Sequence, residues 1–261
     1  MPMEAEIRIA EDGADLTRIA ARALTEAALG SIEERGTFRV ALTGGRTAVP
    51  LYRELAAGPL DRMPWESVHF YWGDERCVPQ YDRESNFGSA HDALLEHIPV
   101  PVENVHPMAG AANDPQRAAE AYEVLLQQHF GRDGETTFDL TLLGMGEDGH
   151  IASLFPGSEA LAEQHRWVMA AEAPADRPPR ARITLTLPAL NRSREVLFLV
   201  SGESKRDAVA RVLRGKAAGQ GKEDGREGEE EREPLPAAMI RPQERLLWIM
   251  DREAAPEELR P

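Results

Sequence analysis

Apolar positions along the chain alternate between two periods, and that alternation predicts the fold class. Glu6–Ala10 alternates as a short strand. Leu16, Ile19, Ala20, Ala23, Leu24 and Ala27 then recur at helical spacing, which predicts a helix ending near Gly36. Phe38–Leu42 reads as a strand running into Thr43-Gly44-Gly45-Arg46-Thr47, followed by a helix to about Ala57 that Gly58-Pro59 stops. Val68–Trp72 is the next predicted strand. Helices are predicted over Ser85–Ile98 and Pro115–Phe130, the second with Asp114 as N-cap and Pro115 in the first helical position. Strands follow at Phe138–Leu143, Trp167–Ala171, Arg182–Leu185, Val196–Val200 and Arg245–Met250, with a helix over Ser204–Arg214 before the last of them. Strands and helices in alternation, with near-continuous apolar strands, predict a doubly wound α/β fold: a mostly parallel sheet with helices on both faces.

One segment breaks the pattern. Gly215–Glu233 has no large apolar residue and is rich in Gly and Glu, so it cannot offset the entropy of ordering it. It is expected to be a flexible acidic loop within a single domain spanning residues 1–261, because a strand lies beyond it.

Composition narrows the function classes. The 261 residues suffice for one large α/β domain, and the single cysteine, Cys77, excludes an intramolecular disulfide and suits a reducing compartment. The N-terminal MPMEAEIRIAEDG lacks a basic-then-apolar leader pattern, and no apolar run reaches the roughly 18 residues of a membrane span. A soluble, cytoplasmic protein is expected. The net charge of −15 disfavours nucleic acid or an anionic membrane as partner. A small anionic substrate remains compatible, provided a local cluster of Lys, Arg or backbone amides overcomes the global field.

The chemistry concentrates at predicted strand ends, where ligands gather in open α/β sheets. Phe138–Ser158, FDLTLLGMGEDGHIASLFPGS, carries Gly144, Gly146 and Gly149 and then His150. Glycines there let backbone approach a ligand, and an imidazole with an ordinary pKa of roughly 6.5 can move a proton at neutral pH. The glycines match GxGxxG, but Pro156 and Gly157 cut off the long helix that a dinucleotide site needs, so the fold is expected to be Rossmann-like without a dinucleotide. Thr43–Thr47 offers two glycines, two hydroxyls and helix N-terminal amides. It reads either as a phosphate cradle or as a tight turn capped by Thr47. Asp74, Glu75 and Arg76 crowd a third strand end, as site groups or as a surface ion pair. Lys205 and Arg182, also near strand ends, are candidates for the cation cluster. Cys77 reads as a small, partly buried thiol. His69 reads as a packed or edge residue, His91, His97, His129 and His165 as surface residues, and His106 has no evident partner. No HxH, HExxH, CxxC or GxSxG spacing occurs, which argues against zinc and against a serine esterase.

Read together, five segments in order resemble the 6-phosphogluconolactonases, within the wider group that includes glucosamine-6-phosphate deaminase. They are LTGGRTAVPLYREL (Leu42–Leu55), WGDERCVPQYDRESNF (Trp72–Phe87), LLGMGEDGHIASLFPGS (Leu142–Ser158), RITLTLPALNRS (Arg182–Ser193) and FLVSGESKRDAV (Phe198–Val209), with a weaker match at LPAAMIRP (Leu235–Pro242). Asp74-Glu75-Arg76 and Ala152-Ser153-Leu154-Phe155-Pro156 favour the lactonase, since deaminases typically show Asp-Glu-Tyr and Ala-Phe-Asn-Glu-Pro there. Arg46 departs from the small residue common in the glycine loop. The resemblance implies hydrolysis of 6-phospho-D-glucono-1,5-lactone to 6-phospho-D-gluconate. His150 would act as the proton-transfer group and Asp74 would orient or support it. Thr43, Gly44, Gly45, Thr47, Arg76, Arg182 and Lys205 would hold the phosphate, and amides of the Gly144–Gly146–Gly149 turn would face the oxyanion. It implies no metal, no cofactor and no obligatory protein partner, only a small sugar-phosphate lactone.

Overall fold

The computed structural model describes residues 5–58, 63–110, 114–131, 136–218 and 234–260. In chain order the elements are β1 (Glu6–Ala10), α1 (Gly13–Arg35), β2 (Phe38–Leu42), α2 (Ala48–Ala57), β3 (Val68–Trp72), β4 (Asp74–Arg76), α3 (Asn86–Ala93) and α4 (Pro115–Phe130). There follow β5 (Leu140–Leu143), α5 (Glu159–Ala162), β6 (Val168–Glu172), β7 (Ala181–Leu185), α6 (Leu187–Leu190), β8 (Glu195–Val200), α7 (Arg206–Ala218) and β9 (Arg245–Asp251). Six strands form an all-parallel sheet in the order β1-β9-β8-β5-β2-β3. Its central strands β5 and β8 are buried almost from end to end, as expected of a sheet covered on both faces. Phe198 and Trp248 stack across the β8–β9 pair with centroids 3.9 Å apart, in the middle of the core.

Local sequence accounts for the boundaries. Asp12 caps α1 by accepting from the amide of Asp15, and Gly36 ends the helix at φ 77°. Asp114 accepts from the amides of Gln116 and Arg117 at the start of α4. The helix predicted to run to Ile98 stops at Ala93 and resumes only as one 3-10 turn over Leu95–His97. The break falls at Leu94, at φ −136°, ψ −63°; Pro99 then keeps Ile98 out of the helical region, at φ −123°, ψ 151°. At the other end of the chain α7 continues to Ala218, into the start of the predicted acidic loop; positions 219–233 lie outside the described residues.

Three strands leave the parallel sheet. β4, β7 and β6 form a separate antiparallel sheet, in which Asp74 faces Thr184 and Arg76 faces Arg182. Only residues 173–180 join β6 to β7, which is too short for the crossover that a parallel pair needs. The connection therefore turns back as a hairpin.

The parallel sheet also fixes where a ligand can sit. From β2 the chain moves outward to β3, whereas from β5 it moves the opposite way to β8, so neighbouring β2 and β5 mark a topological switch point. The loops leaving these two strands splay apart there and open a crevice. They are Thr43–Thr47 and the Gly144–His150 turn.

Edge strand β3 carries an unexpected cluster. His69 Nδ1 lies 3.3 Å from His106 Nε2, His129 Nδ1 lies 2.8 Å from the Tyr71 hydroxyl, and the rings of His106 and His129 are 4.7 Å apart. His106 thus has partners, and His129, exposed on the helix surface as predicted, is nonetheless tied to the Tyr71 hydroxyl where α4 folds back over the sheet edge. Burial, together with the charges of Arg39 and of His129, pushes the His69 imidazole below its ordinary value. Burial and the neighbouring imidazoles take His106 to about 4, and burial and Arg39 lower His129. Such groups bind more protons unfolded than folded, so stability declines as pH falls from roughly 6.5 toward 4. Thermal melts from pH 8 to pH 4 check this: His106→Phe, which keeps the ring packing on Tyr71, flattens the loss below pH 6.5. Parallel curves for variant and wild type refute it.

Candidate active site

A cavity of about 350 Å³ opens at the switch point, floored by the loops after β2, β5 and β8 and walled by β4 and α3. It collects Thr43, Gly44, Gly45, Arg46, Thr47, Asp74, Arg76, Gly144, Gly146, His150 and Lys205, so most of the predicted site residues meet in one place. Gly149 and Arg182 do not line it.

The β5 turn is shaped around His150. Gly149 takes φ 78°, the left-handed bend that reverses the chain. A Cβ on Gly146 would stand 2.0 Å from His150 Nδ1 and 2.4 Å from Asp148 Oδ1, so only glycine lets the imidazole fold back over the turn. His150 Nδ1 lies 2.6 Å from Asp148 Oδ1. Burial works against ionising Asp148, but its bonds to His150 and the charge of Arg177 hold its carboxyl well below the usual carboxylate range. An ionised Asp148 favours the Nδ1–H tautomer, which leaves the Nε2 lone pair for proton transfer.

Two sequence expectations change here. The partner of His150 is Asp148, not Asp74; the two-residue spacing in Asp148-Gly149-His150 was the available signal. Asp74 is held elsewhere, with Oδ1 accepting from Asn86 Nδ2 at 3.0 Å and Oδ2 from Ser153 Oγ at 2.7 Å. The amides of Gly146 and Gly149 donate to His150 O and Gly146 O. They close the turn itself and cannot serve an oxyanion.

Thr43 is clamped at the end of β2, its carbonyl accepting from the Tyr52 hydroxyl of α2 at 2.5 Å. Thr47 precedes α2 without capping it: its backbone is already helical and its hydroxyl makes no cap bond. The capped-turn alternative for Thr43–Thr47 therefore fails; at the start of α2 the Ala48 amide donates to Gly45 O at 3.2 Å, and Pro50 has no N–H to offer.

Cations gather as the charge argument required. Arg46, Arg76 and Lys205 line the cavity, and none forms an ion pair among the described residues. Lys205 is presented by a turn that Asp251 fixes, its carboxylate accepting from Ser201 Oγ and from the amide of Gly202. Burial pushes the Lys205 ammonium below its ordinary value, against Glu147 and Asp148, which raise it. Arg182 is packed behind the cavity wall beside Arg76, 6 % exposed, with Nη2 donating to Arg177 O at 3.3 Å. The Nε atoms of Arg76 and Arg182 are buried without partners.

The wall itself hangs on Glu75, 2 % exposed. Its carboxylate accepts from the amides of Arg76, Asn86 and Phe87 and from Ser85 Oγ, at 2.7–3.1 Å.

A family model described as glucosamine-6-phosphate isomerases/6-phosphogluconolactonase matches residues 11–248. The chain belongs to this family. The 6-phosphogluconolactonase of Mycobacterium tuberculosis is 41 % identical to it over 97 % of this chain and 98 % of that one. The crystal structure of a 6-phosphogluconolactonase from Thermotoga maritima superposes with a TM-score of 0.79 at 30 % identity, covering 95 % of this chain and all of that one. A monomeric glucosamine-6-phosphate deaminase shares the fold, with a TM-score of 0.78 at 22 % identity over 98 % of this chain and all of that one. Both branches of the family thus share the fold.

Glu75→Gln tests how the wall is held. The new amide nitrogen would meet backbone donors where they need an acceptor, at a cost of about 1–3 kcal/mol. Denaturant melts should register that loss, and a wild-type midpoint would show that Glu75 does not fasten β4 to α3.

Proposed function

We propose that the protein hydrolyses 6-phospho-D-glucono-1,5-lactone to 6-phospho-D-gluconate, with His150 as the proton-transfer group. The observation that carries the reading is the Asp148–His150 pair at the mouth of a cavity bordered by unpaired cations, in a chain 41 % identical to a 6-phosphogluconolactonase. With Nδ1–H donating to Asp148, Nε2 takes a proton from water as the water oxygen attacks the lactone carbonyl. The tetrahedral intermediate collapses by breaking the bond to the ring oxygen, which receives the proton from Nε2. The acid product ionises and releases a proton to solvent. Thr43, Gly44, Gly45 and Thr47 with Arg76 and Lys205 bind the phosphate through charge-assisted hydrogen bonds and the loop's hydroxyls and amides. Arg182 backs that pocket from behind Arg76 rather than reaching into it. Asp74 is a fixed acceptor for substrate hydroxyls. The steps need no metal and no cofactor. Among the described residues no helix is long and apolar enough to cross a membrane, and the lone half-buried Cys77 suits a cytoplasmic site of action.

A pH-stat with the pure protein tests the reading. Acid release from the phosphorylated lactone should exceed spontaneous opening, and glucosamine 6-phosphate should yield no ammonia. Asp148→Asn, whose amide would donate to Nδ1 and fix the wrong tautomer, and His150→Ala should each lower kcat by about 10²–10⁴ with KM within a few-fold. Acting as one unit, the two changes together should cost little more than the worse one. Ammonia release, or wild-type turnover in His150→Ala, overturns the assignment.

Lys205→Ala should instead raise KM for the phosphorylated lactone by about 10- to 150-fold, the worth of one charge-assisted bond. Unphosphorylated gluconolactone should be a poor substrate for the wild type and lose little in the variant. Equal damage to both lactones would mean that Lys205 does not read phosphate.

A further inference from the structure

Arg177 lies outside every motif that the sequence offered and outside the cavity lining, on the hairpin between β6 and β7. Its Nη1 is 3.0 Å from Asp148 Oδ2 and 2.7 Å from His150 Nδ1. Nδ1 is therefore within bonding distance of two groups with opposite demands. As N–H it can donate to Asp148; as a lone pair it can accept from Arg177; it cannot do both. The imidazolium, protonated at both nitrogens, keeps the first bond and sets a positive charge against the guanidinium.

The guanidinium is held in this position rather than trailing in solvent. Its Cζ lies 5.8 Å from the centroid of Phe155, whose ring packs 4.6 Å from that of His150. Its amide donates to Pro174 O at 2.9 Å, and its carbonyl accepts from the buried Arg182. Arg182 thereby connects the wall around Arg76 to the turn that aims Arg177. The other charges near this corner are Glu147, Lys205 and Arg46, with Asp74 and Arg76 across the cavity.

The lactonase cycle needs His150 to accept a proton and then surrender it to a ring oxygen. An unopposed carboxylate at Nδ1 favours the first step and hinders the second. Resting on the lactonase reading, we propose that Arg177 is a positioning residue that makes His150 release its proton, opposing the imidazolium that Asp148 favours. The proton taken from water at Nε2 then passes to the leaving oxygen as the carbon–oxygen bond breaks, and the neutral imidazole is regenerated.

NMR titration of the His150 ring in the ligand-free protein, with kcat/KM–pH profiles for the phosphorylated lactone, tests this in wild type, Arg177→Gln and Arg177→Lys. In Arg177→Gln the titration midpoint and the acid limb of the profile should both move up by about one pH unit. KM at pH 8 should stay within about twofold, and Arg177→Lys should return the midpoint most of the way. Arg177 is one-third exposed, so the variants should melt close to wild type. An unmoved midpoint overturns the proposal: with KM raised about tenfold Arg177 is a substrate-anion ligand, and with KM unchanged it has no part in the site. An inactive wild type whose His150 midpoint still responds to Arg177 would locate the failure in the lactonase reading instead.

Discussion

A carboxylate that water cannot reach must be satisfied by the protein, and Glu75 is the one on which this site depends. Burial alone pushes its pKa up, and the backbone amides of Phe87, Asn86 and Arg76 work in the opposite direction. Those amides belong to β4 and to the first turn of α3, so satisfying the carboxylate fixes strand and helix in one register. Asn86, placed this way, donates to Asp74 O and Oδ1. From Asp74 the chain of bonds runs to Ser153 Oγ, and the Ser153 amide donates to Thr184 Oγ1 on β7. The small sheet, α3 and the segment after His150 are thereby tied to one another by buried polar bonds in addition to apolar packing.

The parallel sheet supplies the opposite kind of order. Its strands are apolar and paired by a parallel backbone ladder, and their order opens the crevice between β2 and β5. The proposed proton-transfer residue, His150, comes from a turn leaving the sheet, and the wall facing it from the polar network. Chemistry thus takes place at the seam between a rigid apolar scaffold and a hydrogen-bonded one.

The scaffold was the legible part. Five of the parallel strands, β1, β2, β3, β8 and β9, carry their own periodic signal and lie within a residue of where the pattern predicts them. The glycine loops, His150, Lys205 and Arg76 announce themselves by residue type at a strand end. What the sequence hides is anything that requires two distant segments to be seen together. Asn86 and Ser153 look like ordinary cap and turn residues until Asp74 is placed between them. Arg177 sits in a Pro-rich connector, Ala173-Pro174-Ala175-Asp176-Arg177-Pro178-Pro179, with no periodicity to mark it. The antiparallel pairing of β6 and β7 leaves its trace only in the short connector, residues 173–180, amid strand–helix alternation. Asp148 was close enough in sequence to find.

Both oxygens of Asp74 are occupied, one by an amide and one by a hydroxyl, and that limits what this scaffold can become. A carboxylate that is to strip hydrogen from carbon has to leave its resting partners and meet a C–H bond at a defined angle. Here the Ser153 hydroxyl and the Asn86 amide hold both oxygens in place. An ancestor or a designed variant moving from ester opening toward carbon-acid chemistry would first have to lose a bond, not gain a residue. Ser153, a single small side chain, stands as the ratchet between the two trades.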